Sequence, residues 1–147
     1  MTTKTDLETA LKEAMRAGDD QRKSTIRMAL AAVKITEKDK GITLDETGVT
    51  AIVQKEIKSR REAVAEGQKA NRPDLVEAAQ GEIAILESFL PKGLSTEELD
   101  AMAQQAVTEA GATSARDMGA VMKILMPRLQ GRASGDQASQ AVRKLLH

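Results

Sequence analysis

Apolar residues recur every three or four positions along this chain, with polar and charged residues filling the intervals. That spacing draws one apolar stripe along a helix. Leu7, Leu11 and Met15 share a face of a first helix, opened by the capping-box spacing of Thr5 and Glu8 and closed by Gly18. A second helix, from about Asp20 to Lys40, turns Ile26, Leu30 and Val33 inward, with Ala29 and Ala32 permitting close approach and Gly41 as its stop. The third, from Val49 to about Lys69, carries Val49, Ile52, Val53, Ile57 and Val64 as its stripe. Gly67 sits inside it at a cost of ~1 kcal/mol relative to alanine, which predicts fraying there. A turn through Asn71-Arg72-Pro73-Asp74 leads to a fourth helix reaching about Phe89, with Leu75, Ala79, Ile83 and Leu86 inward.

The pattern then breaks at Leu90-Pro91-Lys92-Gly93-Leu94, because the residue before a proline leaves helical geometry and the glycine adds freedom. Ser95 and Glu98 form a second capping box, opening a helix with Leu99, Met102, Ala106 and Val107 inward. Gly111 ends it. Ser114 is the expected cap of the next helix, whose apolar positions are Met118, Val121, Met122 and Leu125 and which Pro127 is expected to stop. After a turn from Gly131 to Gly135, Asp136 is the expected cap of a last helix packed through Val142, Leu145 and Leu146. No period-two strand pattern stands out. The expected fold is all-α: an N-terminal antiparallel helical bundle over residues 1–91, then a small three-helix C-terminal domain over residues 92–147.

Composition sharpens this picture mainly by exclusion. Phe89 is the single aromatic in 147 residues, so Leu, Ile, Val, Met and Ala must fill the core. With no cysteine there is neither a disulfide nor a thiolate metal site. The single histidine, His147, is the last residue and reads as a chain end rather than a catalytic base. Apolar runs fall far short of the ~20 residues that span a bilayer, and no apolar signal core follows Met1 to Asp6. A soluble cytosolic protein, without membrane contact, is the expectation.

The chemistry-bearing patterns are few. Gly131 to Gly135 is not a phosphate-binding loop, since its spacing is wrong, no Lys-Ser/Thr follows and no strand pattern precedes it. Ser24 and Ser59 lie near lysines only as chance neighbours on charged helices, and the pairs Glu97-Glu98 and Asp19-Asp20 suit helix starts. Met118, Met122 and Met126 read as core filler, with a partner groove as the second possibility. No catalytic residue, cofactor or metal is expected.

Charge is balanced at 22 basic and 22 acidic residues, which argues against a bulk polyanion binder, but it is segregated. Lys123, Arg128, Arg132, Arg143 and Lys144 surround the last helix–turn–helix and form the main candidate for contact with a polyanion. Arg143 and Lys144 also complement the dipole of the final helix, a structural role that would account for them. Arg60, Arg61 and Arg72 form a second candidate patch, although Lys55, Lys58, Arg60 and Arg61 are interleaved with Glu56, Glu62 and Glu66, as on a solvated face. Without aromatics to stack on bases, backbone contact to folded RNA is the expected form.

The chain resembles the YqeY family, small bacterial proteins whose C-terminal part is related to the tail of the GatB subunit of tRNA amidotransferases. The resemblance runs through Asp20-Gln21-Arg22-Lys23, Arg27 and Lys34, through Lys58-Ser59-Arg60-Arg61-Glu62, and through Arg72-Pro73-Asp74-Leu75. It continues in Phe89-Leu90-Pro91, Leu94-Ser95, Gly119-Ala120-Val121-Met122-Lys123, Met126-Pro127 and Gly131-Arg132-Ala133-Ser134-Gly135. Gly67, Asn71 and Ser139 depart from it, standing where the family usually has an aromatic, a glycine and an asparagine. The resemblance implies an all-helical, two-domain protein associated with tRNA or a tRNA-handling enzyme. It also implies a label of carbon–nitrogen ligase with glutamine as amido-N-donor, for which this sequence offers neither glutaminase machinery nor an ATP motif. A non-catalytic accessory role is therefore expected, with an amidotransferase partnership or a protein–protein adaptor as alternatives.

Overall fold

A computed structural model describes residues 2–146, and among these the secondary structure is helical throughout. The reading of His147 as a chain end lies outside the described residues. The chain divides into two compact units, Met1–Pro91 and Lys92–His147.

The first unit holds α1 (Lys4–Ala17), α2 (Asp20–Lys40), α3 (Glu46–Lys69) and α4 (Pro73–Glu87). α1 starts earlier than its sequence suggests: Thr3, not Thr5, is the cap, and its hydroxyl and the Asp6 carboxylate exchange hydrogen bonds with each other's backbone N–H. Its buried stripe is Leu7, Ala10 and Ala14 with Leu11 half-buried, while Met15, expected inward, is exposed. α3 also starts early, because the Asp45 carboxylate accepts from the Gly48 N–H.

Gly67 does not fray α3. The helix runs through it to Lys69, and Gly67 is buried where a Cβ would stand 3.0 Å from Cγ2 of Val76. Glycine there lets α4 approach closely, which offsets its poor helix propensity. Asn71, one of the departures from the resemblance, takes the left-handed conformation (φ 53), which asparagine tolerates better than most side chains. Pro73 then occupies the first turn of α4, where its missing N–H is harmless. Leu75, expected inward, is exposed, since Val76 is the residue that meets α3 at Gly67.

α3 packs most extensively against α4, and α2 contacts α1, α3 and α4. The unit's core lies in two neighbouring groups. Leu7, Ile26, Leu30, Val33 and Val49 form one; Ala29, Val53, Ile57 and Leu86 form the other.

The second unit holds α5 (Thr96–Ala110), a short 3₁₀ turn (Ala115–Asp117), α6 (Met118–Leu129) and α7 (Gly135–Leu145). The Ser95–Glu98 capping box opens α5, as its spacing predicts. Three details differ from expectation. Ser114 precedes the 3₁₀ turn rather than α6 itself. Pro127 does not stop α6: it removes one donor near the helix end, and the buried Leu129 holds the last turn until Gln130 (φ 50) ends it. Ser134, not Asp136, caps α7, in a reciprocal box with Gln137 that leaves Asp136 in the first turn. All three helices share one core of Leu99, Ala103, Ala106, Val121, Leu125 and Val142 with their neighbours. Met118 and Met122 pack against that core as filler, whereas Met126, expected with them, is exposed.

Candidate nucleic-acid interface

Packing of Val121, Leu125 and Leu129 on α6, and of Ala138, Ala141 and Val142 on α7, turns the remaining faces of both helices to solvent. Lys123, Arg128, Arg132, Arg143 and Lys144 are all exposed. Their neighbours then divide them. Arg128 donates from Nη2 to the Glu109 carboxylate at the end of α5; that hydrogen bond raises the guanidinium pKa and lowers that of Glu109. Nζ of Lys144 stands 3.6 Å from Oδ1 of Asp100. Two of the five cations are therefore matched by carboxylates.

Arg132 is held differently. Its Nε donates to the Lys92 carbonyl at 3.0 Å, and its own carbonyl accepts from the Leu94 N–H at 3.0 Å. These two bonds tie the segment before α5 to the turn between α6 and α7. The terminal nitrogens of Arg132 make no hydrogen bond to any described residue. Glu98, at the start of α5, has its pKa lowered first by the Ser95 N–H, with the charges of Arg132 and Lys92 adding to this. Lys123 and Arg143 make no ion pair with any described residue. Across residues 92–147 seven basic side chains face six acidic ones, so the unit as a whole is near neutral.

The second candidate patch is not an open one. Arg60, expected on a solvated face, is buried, with 6% of its surface exposed. Its Nη1 donates to the Glu56 carboxylate at 2.7 Å and to the Glu56 carbonyl at 3.1 Å, and its Nε donates to Glu82 on α4 at 2.7 Å. Nη2 lies 3.6 Å from Sδ of Met28 on α2. Burial pulls its pKa down, but the bonds to Glu56 and Glu82 outweigh this and hold it above the ordinary value. Arg60 therefore links α2, α3 and α4 and has no surface left for a phosphate. The signal was present in the chain, since Arg60 lies three residues after Ile57 and four before Val64, on the buried stripe. Arg61 pairs with Glu87 at 3.1 Å, and Arg72 grips both oxygens of Asp74 at 3.1 and 3.0 Å.

A cavity of about 320 Å³ opens where α3 ends and α4 begins, beside Gly67, Gln68, Asn71 and Val76. Its charged lining is Arg72 and Glu77, one of each sign, so it does not concentrate anions. Among the described residues, no three His, Asp or Glu side chains are placed to hold a metal, and no helix is long and apolar enough to cross a membrane.

Fold and surface together define an all-helical protein of two compact units, charge-balanced, with a few unmatched cations on the C-terminal one. The family model described as "Yqey-like protein" matches residues 4–146, and the chain belongs to the YqeY family. Its curated relatives carry the name "Altered inheritance of mitochondria protein 41, mitochondrial". That of Lachancea thermotolerans is 39% identical over 71% of this chain and 57% of the relative. That of Kluyveromyces lactis is 43% identical over 67% and 55%, and that of Pyrenophora tritici-repentis 32% over 86% and 71%. The chain spans little more than half the length of the first two.

These names overturn the cytosolic expectation, because the matched relatives are mitochondrial proteins. That expectation rested on the lack of an apolar leader after Met1. Mitochondrial targeting uses amphipathic, arginine-rich segments rather than apolar ones, so the missing apolar core carried no information on this compartment.

Proposed function

We propose that this chain, a helical bundle carrying a three-helix tail, is a non-catalytic accessory protein whose tail leans on the backbone of tRNA. Lys123, Arg132 and Arg143 make the contact. The observation that carries the reading is that these three are exposed and without a salt-bridge partner among the described residues, whereas Arg128 and Lys144 are matched by Glu109 and Asp100. Arg132 is the best prepared of them. Its Nε rests on the Lys92 carbonyl, which orients the guanidinium and leaves two Nη groups for phosphate oxygens. The resemblance of the tail to that of GatB supports tRNA as the polyanion, and the absence of aromatics from the tail supports backbone over base contact.

Three phosphate contacts set the salt dependence. With a slope of roughly −0.9 per neutralised phosphate, affinity falls about fortyfold between 50 and 200 mM salt. All eight candidate cations acting together would lower it by about twenty-thousandfold over the same range. Fluorescence anisotropy of labelled tRNA against the full chain reads this directly. A decline near the smaller figure supports the reading; a flat titration, or no binding at low salt, overturns it.

A further inference from the structure

α2 is buried along one side only. Ile26, Ala29, Leu30 and Val33 face the core, and on a 3.6-residue wheel the opposite side presents Arg27, Met28, Ala31, Lys34, Ile35 and Lys38, all exposed. This outer face is sorted. Arg27, Lys34 and Lys38 run along one edge, Met28 and Ile35 along the other, and Ala31 lies between them. None of the three cations makes an ion pair with a described residue. Of the two acids that flank Lys38 in sequence, Glu37 is turned away to Lys4 at 2.8 Å and to the Leu44 N–H at 2.9 Å. Asp39 lies past Ile35 at the apolar margin.

We propose that this face docks an acidic amphipathic helix of another protein, a site separate from the tail and independent of the tRNA reading. Two features choose that occupant. The cationic edge carries three like charges, with spacings of about 10 and 6 Å along the axis, and its complement is a row of carboxylates. The apolar edge excludes a purely polyanionic occupant, because Met28 and Ile35 stand 52% and 60% exposed and gain only from contact with other apolar groups. A phosphate backbone satisfies the first edge and leaves the second in water. A helix with apolar residues at i, i+3, i+4 and i+7 and acids beside them satisfies both. Met28 is also positioned in advance, its sulfur lying 3.6 Å from Nη2 of the buried Arg60. Its flexible thioether suits a partner whose apolar residues are not fixed in shape.

The test uses the full chain labelled with ¹⁵N and two designed helical peptides. Both carry leucines at i, i+3, i+4 and i+7; one has glutamates along the flank and the other lysines. The expected result is that the acidic peptide shifts amides within residues 24–38 and binds about tenfold tighter than the basic one. Met28→Ser and Ile35→Ser should each weaken it by about tenfold. The combined Arg27→Glu, Lys34→Glu and Lys38→Glu variant should reverse the preference. These side chains are exposed, and Met28→Ser leaves Arg60 its bonds to Glu56 and Glu82, so circular dichroism should show every variant folded. Equal binding of both peptides, shifts located elsewhere, or no binding overturns the proposal. So does a dimer dissolved by Ile35→Ser, which makes a second copy the occupant. Finally, tRNA or phosphatidylserine vesicles displacing the peptide from these amides would overturn it in favour of a polyanion or a lipid surface.

Discussion

Arg60 in the middle of α3 is buried between Glu56 and Glu82, whereas Arg132 in the turn before α7 is exposed and rests on one carbonyl. Both belong to locally basic stretches of the chain. The first holds helices together, and the second keeps its terminal nitrogens for something outside. What separates them is position relative to the apolar stripe and the reach of the nearest carboxylate, not the local density of charge. The same distinction runs through the other candidates, since Arg61, Arg72, Arg128 and Lys144 have acids at hand while Lys123 and Arg143 do not.

The sharpest way to break this contrast is to remove Arg60. Arg60→Met leaves Glu56 and Glu82 facing each other without their shared cation, and loss of one partner from a buried pair costs about 3 kcal/mol. Hydrogen exchange should show that loss in residues 1–91 and spare residues 92–147. Equal loss in both units would mean that they do not fold as the separate compact bodies seen here.

A smaller effect distinguishes the two candidate caps of α7. Ser134→Ala removes the acceptor for the Gln137 N–H and should cost the second unit about 1 kcal/mol. Asp136→Ala leaves the reciprocal Ser134–Gln137 box in place and should cost less than Ser134→Ala does. Urea unfolding of each variant decides the order, and a reversed order would restore Asp136 as the cap.

Acid should weaken both units, from about pH 5 downward. The hydrogen bond from Lys4, helped by the Leu44 N–H, lowers the pKa of Glu37; the Ser95 N–H does the same for Glu98 and Arg128 for Glu109. Carboxylates with a lowered folded pKa stabilise fully above their ordinary range, and that stability disappears as pH falls through the folded value. Glu37→Gln should therefore flatten the acid limb of the first unit's stability curve, read as melting temperature against pH. An unchanged limb would mean that the Lys4 contact contributes nothing.

Much of the fold was legible because a 3.6-residue period survives in sequence: the helices, the break at Pro91 and the Ser95–Glu98 box were all readable. Caps were harder wherever two acceptors lie close together. Thr3 and Thr5 both precede α1, and Ser134 and Asp136 both flank the start of α7, so the choice rests on side-chain geometry. Gly67 looked like a weakness because its partner, Val76, lies across a turn. Exposure of the tail cations could be read from the stripe, but their pairing could not, since Glu109 and Asp100 belong to a different helix. For Arg60 the stripe already pointed inward; what sequence did not supply was Glu82, 22 residues away.

Comparing two triple variants in tRNA binding at low salt tests most directly whether pairing decides which cations are available. Lys123→Gln, Arg132→Gln and Arg143→Gln together should weaken binding by more than about tenfold, while Arg61→Gln, Arg72→Gln and Arg128→Gln together should change it by less than about threefold. Equal losses from both triples, or a larger loss from the second, would contradict the account.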